Sequence, residues 1–130
     1  MKKITTLLLM SFFLLISCTN QEDGKWDDNI KLSQKEVTFD SESNTVTIST
    51  KDGRWWLNQV AINQELIDIS KVDAIAKDFT ITNAEFQIER KEGKQIIITM
   101  NKNTTGADRR LIVGVQNGNY YDGIVVNQSK

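Results

Sequence analysis

Carboxylates are the main side chains of this 130-residue chain that can hold or move a proton, because it contains no histidine. The commonest general base, triad partner and zinc ligand are therefore missing together. A glycosidase mechanism needs two acids about 5 to 10 Å apart across a cleft. The sequence offers Asp27 with Asp28, Asp40 with Glu42, and Asp73 with Asp78. Each pair reads as solvated surface charge, since a small β-domain has no deep cleft to raise an acid's pKa. Asp108, before Arg109 and Arg110, reads as a loop ion pair, and no loop carries the acidic spacing of a calcium motif. The expectation is a protein that is not an enzyme, with no catalytic residue, metal or cofactor.

Aromatic side chains are the other candidates for chemistry, here for recognition. DGRWWLNQVAIN, at 52–63, places Trp55 and Trp56 side by side in a strand-like stretch. Successive strand residues face opposite sides of a sheet, so one indole points inward and the other outward. Trp55 aligns with Leu57 and Ala61, and Trp56 with Val60 and Ile62. The bulkier companions assign Trp56 to the core and leave Trp55 as the outward residue. Tyr120 and Tyr121 lie beside Asn117, Asn119 and Asp122 in the last strand pair. A flat apolar ring with a few polar neighbours suits the face of a sugar, so Trp55, Tyr120, Tyr121, Asn119 and Asp122 form the candidate contact set for a glycan or a protein partner. The competing reading of Trp55 is packing beneath residues 64–81, whose Leu66, Ile67, Ile69 and Phe79 need an apolar surface.

The elements that must position these residues have a period of two. EVTF (36–39) and TVTIST (45–50) alternate apolar and polar residues around a turn at 41–44 and read as a hairpin. AEFQIER (84–90) and KQIIITMN (94–101) flank KEGK, while RRLIVGVQ (109–116) and YYDGIVVNQ (120–128) flank NGN. Both turns contain a glycine that allows the positive φ of a tight hairpin. With the tryptophan strand, this predicts an all-β, antiparallel, immunoglobulin-like β-sandwich of about seven strands. Residues 64–81 fit the pattern poorly; they read as an irregular excursion ending in an edge strand at DFTI.

The beginning of the chain carries different information. Lys2 and Lys3 precede an apolar run from Leu7 to Ile16, the layout of an export signal too short to be a stable membrane-spanning helix. Leu15-Ile16-Ser17-Cys18 then resembles the lipobox of bacterial lipoproteins, which implies removal of 1–17 and lipidation of Cys18. Cys18 is the only cysteine, so disulfides are excluded and thiol catalysis goes with the anchor. Lipidation at this position implies more than the two lipid signals that stable anchoring requires. Residues 18–33 read as the lipidated cysteine plus an acidic flexible tether, and 34–130 as the folded domain. Glu22 and Asp23 after Gln21 resemble surface-export signals of Gram-negative lipoproteins, which places the protein at the outer membrane and, on that signal, at the cell surface. Without Lys2 and Lys3, 14 basic residues stand against 17 acidic ones, a formal charge of −3 that argues against nucleic acid as a partner.

A longer resemblance follows from the order VTFD, TVTIST, WW, IIITMNKNTTGADRR and IVVNQ. This order is similar to the BACON domain, a Bacteroidetes-associated, immunoglobulin-like family. Asn103, Gly106 and Arg109 of NTTGADR match the family's Asn, Gly and Arg, and Gln128 matches its C-terminal Gln. The similarity extends over about 35–128, and departs from the family at 41–44, where a paired glycine is usual, and after Asn63. It implies a module of surface glycan-handling proteins, either contacting carbohydrate or acting as a spacer or docking element.

Overall fold

The alternating runs do become strands, and two further short ones join them. A computed structural model describes residues 27–130; Cys18, the signal segment and Trp26 lie outside the described residues. The elements are β1 (Glu36–Phe39), β2 (Asn44–Ser49), β3 (Trp56–Ile62), β4 (Glu65–Leu66), β5 (Phe79–Thr82), β6 (Phe86–Lys91), β7 (Gln95–Met100), β8 (Arg109–Asn117) and β9 (Tyr120–Gln128). There is no helix among the described residues.

One sheet has the order β1-β9-β8-β3-β4 and the other β2-β7-β6-β5. The runs β9-β8-β3 and β2-β7-β6 correspond to the G-F-C and B-E-D strands of an immunoglobulin sandwich. The protein is therefore an all-β, immunoglobulin-like sandwich with nine strands where the sequence suggested about seven. The additions are β4 and β5, both from the segment at 64–81. DFTI supplies β5, which is the outer strand of its sheet as the sequence indicated.

The first expected hairpin is not one. β1 pairs parallel with β9, from Glu36↔Val125 to Phe39↔Gln128, whereas β2 pairs antiparallel with β7 in the other sheet. Asp40 accepts hydrogen bonds at Oδ1 from the Glu42 amide (3.0 Å) and from Asn44 Nδ2 (2.8 Å), which shapes a turn that carries the chain between layers. Alternation tells which face a residue takes but not which strand lies beside it, so this partner choice was not legible locally. The other two expected hairpins form. β6 and β7 close on Lys91↔Gln95, and β8 and β9 close on Asn117↔Tyr120, with Gly118 at φ 61°.

The core lies between the layers and is built from Ile48, Leu57, Val60, Phe86, Ile88, Ile98, Leu111, Val113 and their neighbours, all buried. Ile30 and Leu32 belong to the same cluster. These two residues, expected in a tether over 18–33, are therefore part of the folded core. Asp28 Oδ1 fixes the entry by accepting the amides of Ile30 (3.0 Å) and Lys31 (2.8 Å).

Candidate functional site

The tryptophan pair is allocated opposite to the sequence expectation. Trp55 is the buried indole, 3% exposed, and Trp56 is half-exposed at the start of β3. The cause is a register shift between Leu57 and Gln59 in the pairing of β3 with β8. Such a bulge inserts one residue and reverses the alternation beyond it. Trp55 and Leu57 therefore share the inner face with Val60 and Ile62, while Asn58 and Gln59 are both exposed. Strict alternation along 55–62 would need one unbroken phase, which the bulge removes.

Trp55 is held by a cation. The Arg90 guanidinium lies 3.6 Å from its ring centroid, and the indole Nε1 donates to Thr50 Oγ1 at 3.2 Å. Arg90 is itself buried, its Nη2 donating to the carbonyls of Gly53 and Gly93 at 3.0 Å each. Its Nη1 has no hydrogen-bond partner among the described residues. Burial lowers the Arg90 pKa, and the nearby Asp78 carboxylate works in the opposite direction. The indole face and the two carbonyls replace water around the charge. Phe79 lines the same region, so residues from the 64–81 excursion do pack by Trp55. Trp55 is a structural residue and leaves the contact set.

The rest of the expected set divides between the two faces of β9. Tyr120 points inward and packs on the core, and its hydroxyl donates to Asp122 Oδ2 at 2.8 Å. The same oxygen accepts a 2.8 Å ion pair from Lys35 Nζ. Burial, followed by the Asp122 interaction, pushes the Tyr120 pKa up to about 12. The hydrogen bond to Asp122 leads the causes that raise Lys35. Tyr120 and Asp122 thus bind the approach to β1 onto β9 and offer no free platform. Tyr121 takes the other face and is 62% exposed, and Asn119 is exposed in the adjoining turn.

The residues that the structure does bring together lie on the outer face of the five-stranded sheet. Trp56, Gln116 and Tyr121 occupy one cross-strand row, through Trp56↔Gln116 and Gln116↔Tyr121. Two strand spacings separate the aromatic residues by about 10 Å, with an amide between them. The next row is Gln59↔Gly114↔Gly123. A Cβ on Gly114 would come within 3.0 Å of Gln59 Cγ, so the Gln59 chain crosses that position. Only Gly123 leaves a low point in this row, beside Tyr121. Ala61, Ile112 and Val125 form the third row, and Leu66, opposite Ala61, is 72% exposed. Sequence reasoning missed Trp56 and Gln116. The pairing WxL followed by VxI, with two polar residues between, was the available signal of a bulge.

The matched motif residues do different work. Arg109 donates from Nε and Nη2 to Gln128 Oε1 at 3.0 and 2.9 Å, and from Nη2 to the Asn101 carbonyl at 2.6 Å. Gln128 Nε2 donates to the carbonyls of Glu42 and Asn101, and Asn103 Nδ2 to those of Ala107 and Ser129. Gly106, at φ 79°, makes the loop turn that Asn103 braces. These buried polar groups knit one end of the sandwich together. The ion pair expected of Asp108 is replaced: its Oδ1 accepts the Lys130 amide, and Arg109 faces Glu85 at 3.6 Å. Among the described residues no cluster of three acidic or cysteine side chains has the arrangement of a metal site.

No family model matches the chain, and no curated protein matches it. Among solved structures it is similar to the NMR structure of a protein from Bacteroides thetaiotaomicron, with a TM-score of 0.65 and 17% identity over 87% of this chain and 97% of that one. It is also similar to a Bacteroides ovatus GH5 xyloglucanase in complex with a XXXG heptasaccharide (TM-score 0.48, 19% identity), covering 77% of this chain and 18% of that one. Tandem Ig domains of titin give a TM-score of 0.43 at 10% identity, over 74% of this chain and 43% of that one. The first of these likenesses shows the fold.

Proposed function

We propose that this protein is a non-catalytic, lipid-anchored module of the outer membrane that contacts glycan through the outer face of its five-stranded sheet. The observation that carries the reading is the row Trp56–Gln116–Tyr121, two aromatic residues flanking an amide on the outer face of the sheet. Indole and phenol faces accept the C–H face of a sugar ring, and the Gln116 amide has both a donor and an acceptor for hydroxyl groups. The lipobox resemblance at Cys18 supports the anchor and the BACON resemblance supports the glycan setting. Surface exposure rests on Glu22 and Asp23 alone.

The test is isothermal titration of the chain from residue 18 onward, carrying Cys18→Ser, against a panel of plant and host-type oligosaccharides. Binding by the parent protein, lost in Trp56→Ala and weakened at least tenfold in Tyr121→Ala, is the expected result. Saturable binding that is indifferent to both changes would remove the face from consideration. A protein-docking role is favoured by a separate observation, the exposed apolar side chains Leu66 (72%) and Ile75 (69%) on the 64–81 segment. Glycans leave that surface untouched, and Leu66→Ser with Ile75→Ser would abolish retention of an outer-membrane partner.

A further inference from the structure

The outer face continues past its apolar rows into a polar end. Arg110 lies opposite Asn127, and Asn127 opposite Thr38, all on the same side of the sheet as Gln116 and Tyr121. A concavity of about 410 Å³ opens there, lined by Arg110, Asn127, Thr38, Asn63, Ser129 and Asp108 among others. That volume suits a small ligand group.

Arg110 and Asn63 offer it donors. Asn63 and Gln64, at φ 49° and 72°, form the two-residue turn between β3 and β4, closed by Ile62↔Glu65. Asn63 tolerates the left-handed conformation, but Gln64 holds it without a glycine's freedom. The turn directs Asn63 back onto β8, where its Oδ1 accepts the Arg110 amide at 2.9 Å and its own amide donates to the Arg110 carbonyl at 2.9 Å. The acceptor end of the Asn63 amide is thereby used, and its Nδ2 has no partner among the described residues. Arg110 has its backbone fixed on both sides while its side chain is exposed, with no ion pair among the described residues. Asp108, the one carboxylate in the lining, has one oxygen engaged by the Lys130 amide.

We infer that this concavity is a carboxylate subsite, in which Arg110 makes a two-point contact with the acid group of a uronic acid sugar while Asn63 Nδ2 and Asn127 bond its hydroxyls. A planar guanidinium matches a carboxylate with two parallel hydrogen bonds. The inference rests on the glycan reading of this face and narrows it to an acidic polymer. Six positions along β8 separate Arg110 from Gln116, about 20 Å, so one extended chain reaches both the aromatic row and the subsite.

The experiment is a nitrogen-edited NMR titration of the side-chain amides and the Trp56 indole in the chain from residue 18 onward with Cys18→Ser. The probes are galacturonate, galactose, the blocked amino acid N-acetyl-aspartate amide, and a neutral oligosaccharide. Galacturonate is expected to shift Asn63 and Asn127 saturably, with galactose far weaker and Arg110→Gln reducing the affinity at least tenfold. Absence of shifts with galacturonate overturns the subsite. Equal shifts with the blocked aspartate overturn the sugar assignment and make it a site for acidic peptide. Shifts of the Trp56 indole by the neutral oligosaccharide report on the aromatic row independently, so the row and the subsite can fail separately. Arg110→Gln is expected to leave those Trp56 shifts in place.

Discussion

Single residues divide here between those that hold the sandwich and those that face outward, and adjacent positions fall on different sides of that line. Trp55 and Trp56 are the clearest case. Removing Trp55 forfeits its buried area and leaves the Arg90 guanidinium without the ring it lies on. Trp55→Ala is expected to cost about 3–5 kcal/mol in urea unfolding, whereas Trp56→Ala costs about 1 kcal/mol or less. Equal losses would mean that the bulge does not set the phase. Tyr120 and Tyr121 divide in the same way, and the difference is measurable by pH. In a Tyr121→Phe background, absorbance at 295 nm follows Tyr120 alone, with an expected midpoint near 12 against an ordinary value of 10.0. Asp122→Asn moves that midpoint part of the way back, because burial remains as the larger cause. The raised folded-state value means that Tyr120's contribution to stability is complete below about pH 10 and is lost as the pH rises through about 12. A parent midpoint near 10 would show that the hydroxyl is neither buried nor held by Asp122.

Elements are set by pairing, and the β1–β9 pairing is the one that local pattern misjudged. Thr38 and Asn127 are register partners on the outer face. Neighbouring Cα atoms across such a pair fall in the range a disulfide accepts. With Cys18→Ser, the double change Thr38→Cys, Asn127→Cys is expected to oxidise readily, seen as the loss of two hydrogens by mass spectrometry. Thr38→Cys with Thr47→Cys, which a β1–β2 hairpin turning at 41–44 would bring together, is expected to stay reduced. The reverse outcome would return β1 to the hairpin. The excursion at 64–81 shows the other limit of local reading. Its three- and four-residue apolar spacings resemble a helix, yet it packs Ile67, Ile69, Val72 and Phe79 on the core without one, using short turns at Asp68 and Asp73. The irregular path buries part of that set and leaves Leu66 and Ile75 exposed.

For the whole molecule, the chain must carry its cohesion in the core and in the buried polar end, since one cysteine allows no internal disulfide. The end built on Arg109, Gln128 and Asn103 ties the last strand to the loops at 40–43 and 101–108. The proposed anchor belongs to this scale too. Growth of cells expressing the full chain with labelled palmitate is expected to label the protein at Cys18, and Cys18→Ala is expected to release an unlabelled form from the membrane fraction. Label that persists in Cys18→Ala would place the anchor elsewhere.

Legible from the chain alone were the all-β class, eight of the nine strands, two hairpin turns, and the lack of histidine and disulfide chemistry. Those properties depend on residue type and on local period, which a short window contains. It also contained the motif positions Asn103, Gly106, Arg109 and Gln128, though not the hydrogen bonds that join them. Only the tertiary structure decided the partner of β1, the inward phase of Trp55 and the division of Tyr120 from Tyr121. A strand's partner is a long-range choice, and one inserted residue at the bulge reverses every face that follows it. The candidate face is therefore made of residues from β3, β8 and β9 that no stretch of sequence holds together, and only their shared register sets Trp56, Gln116 and Tyr121 in one row.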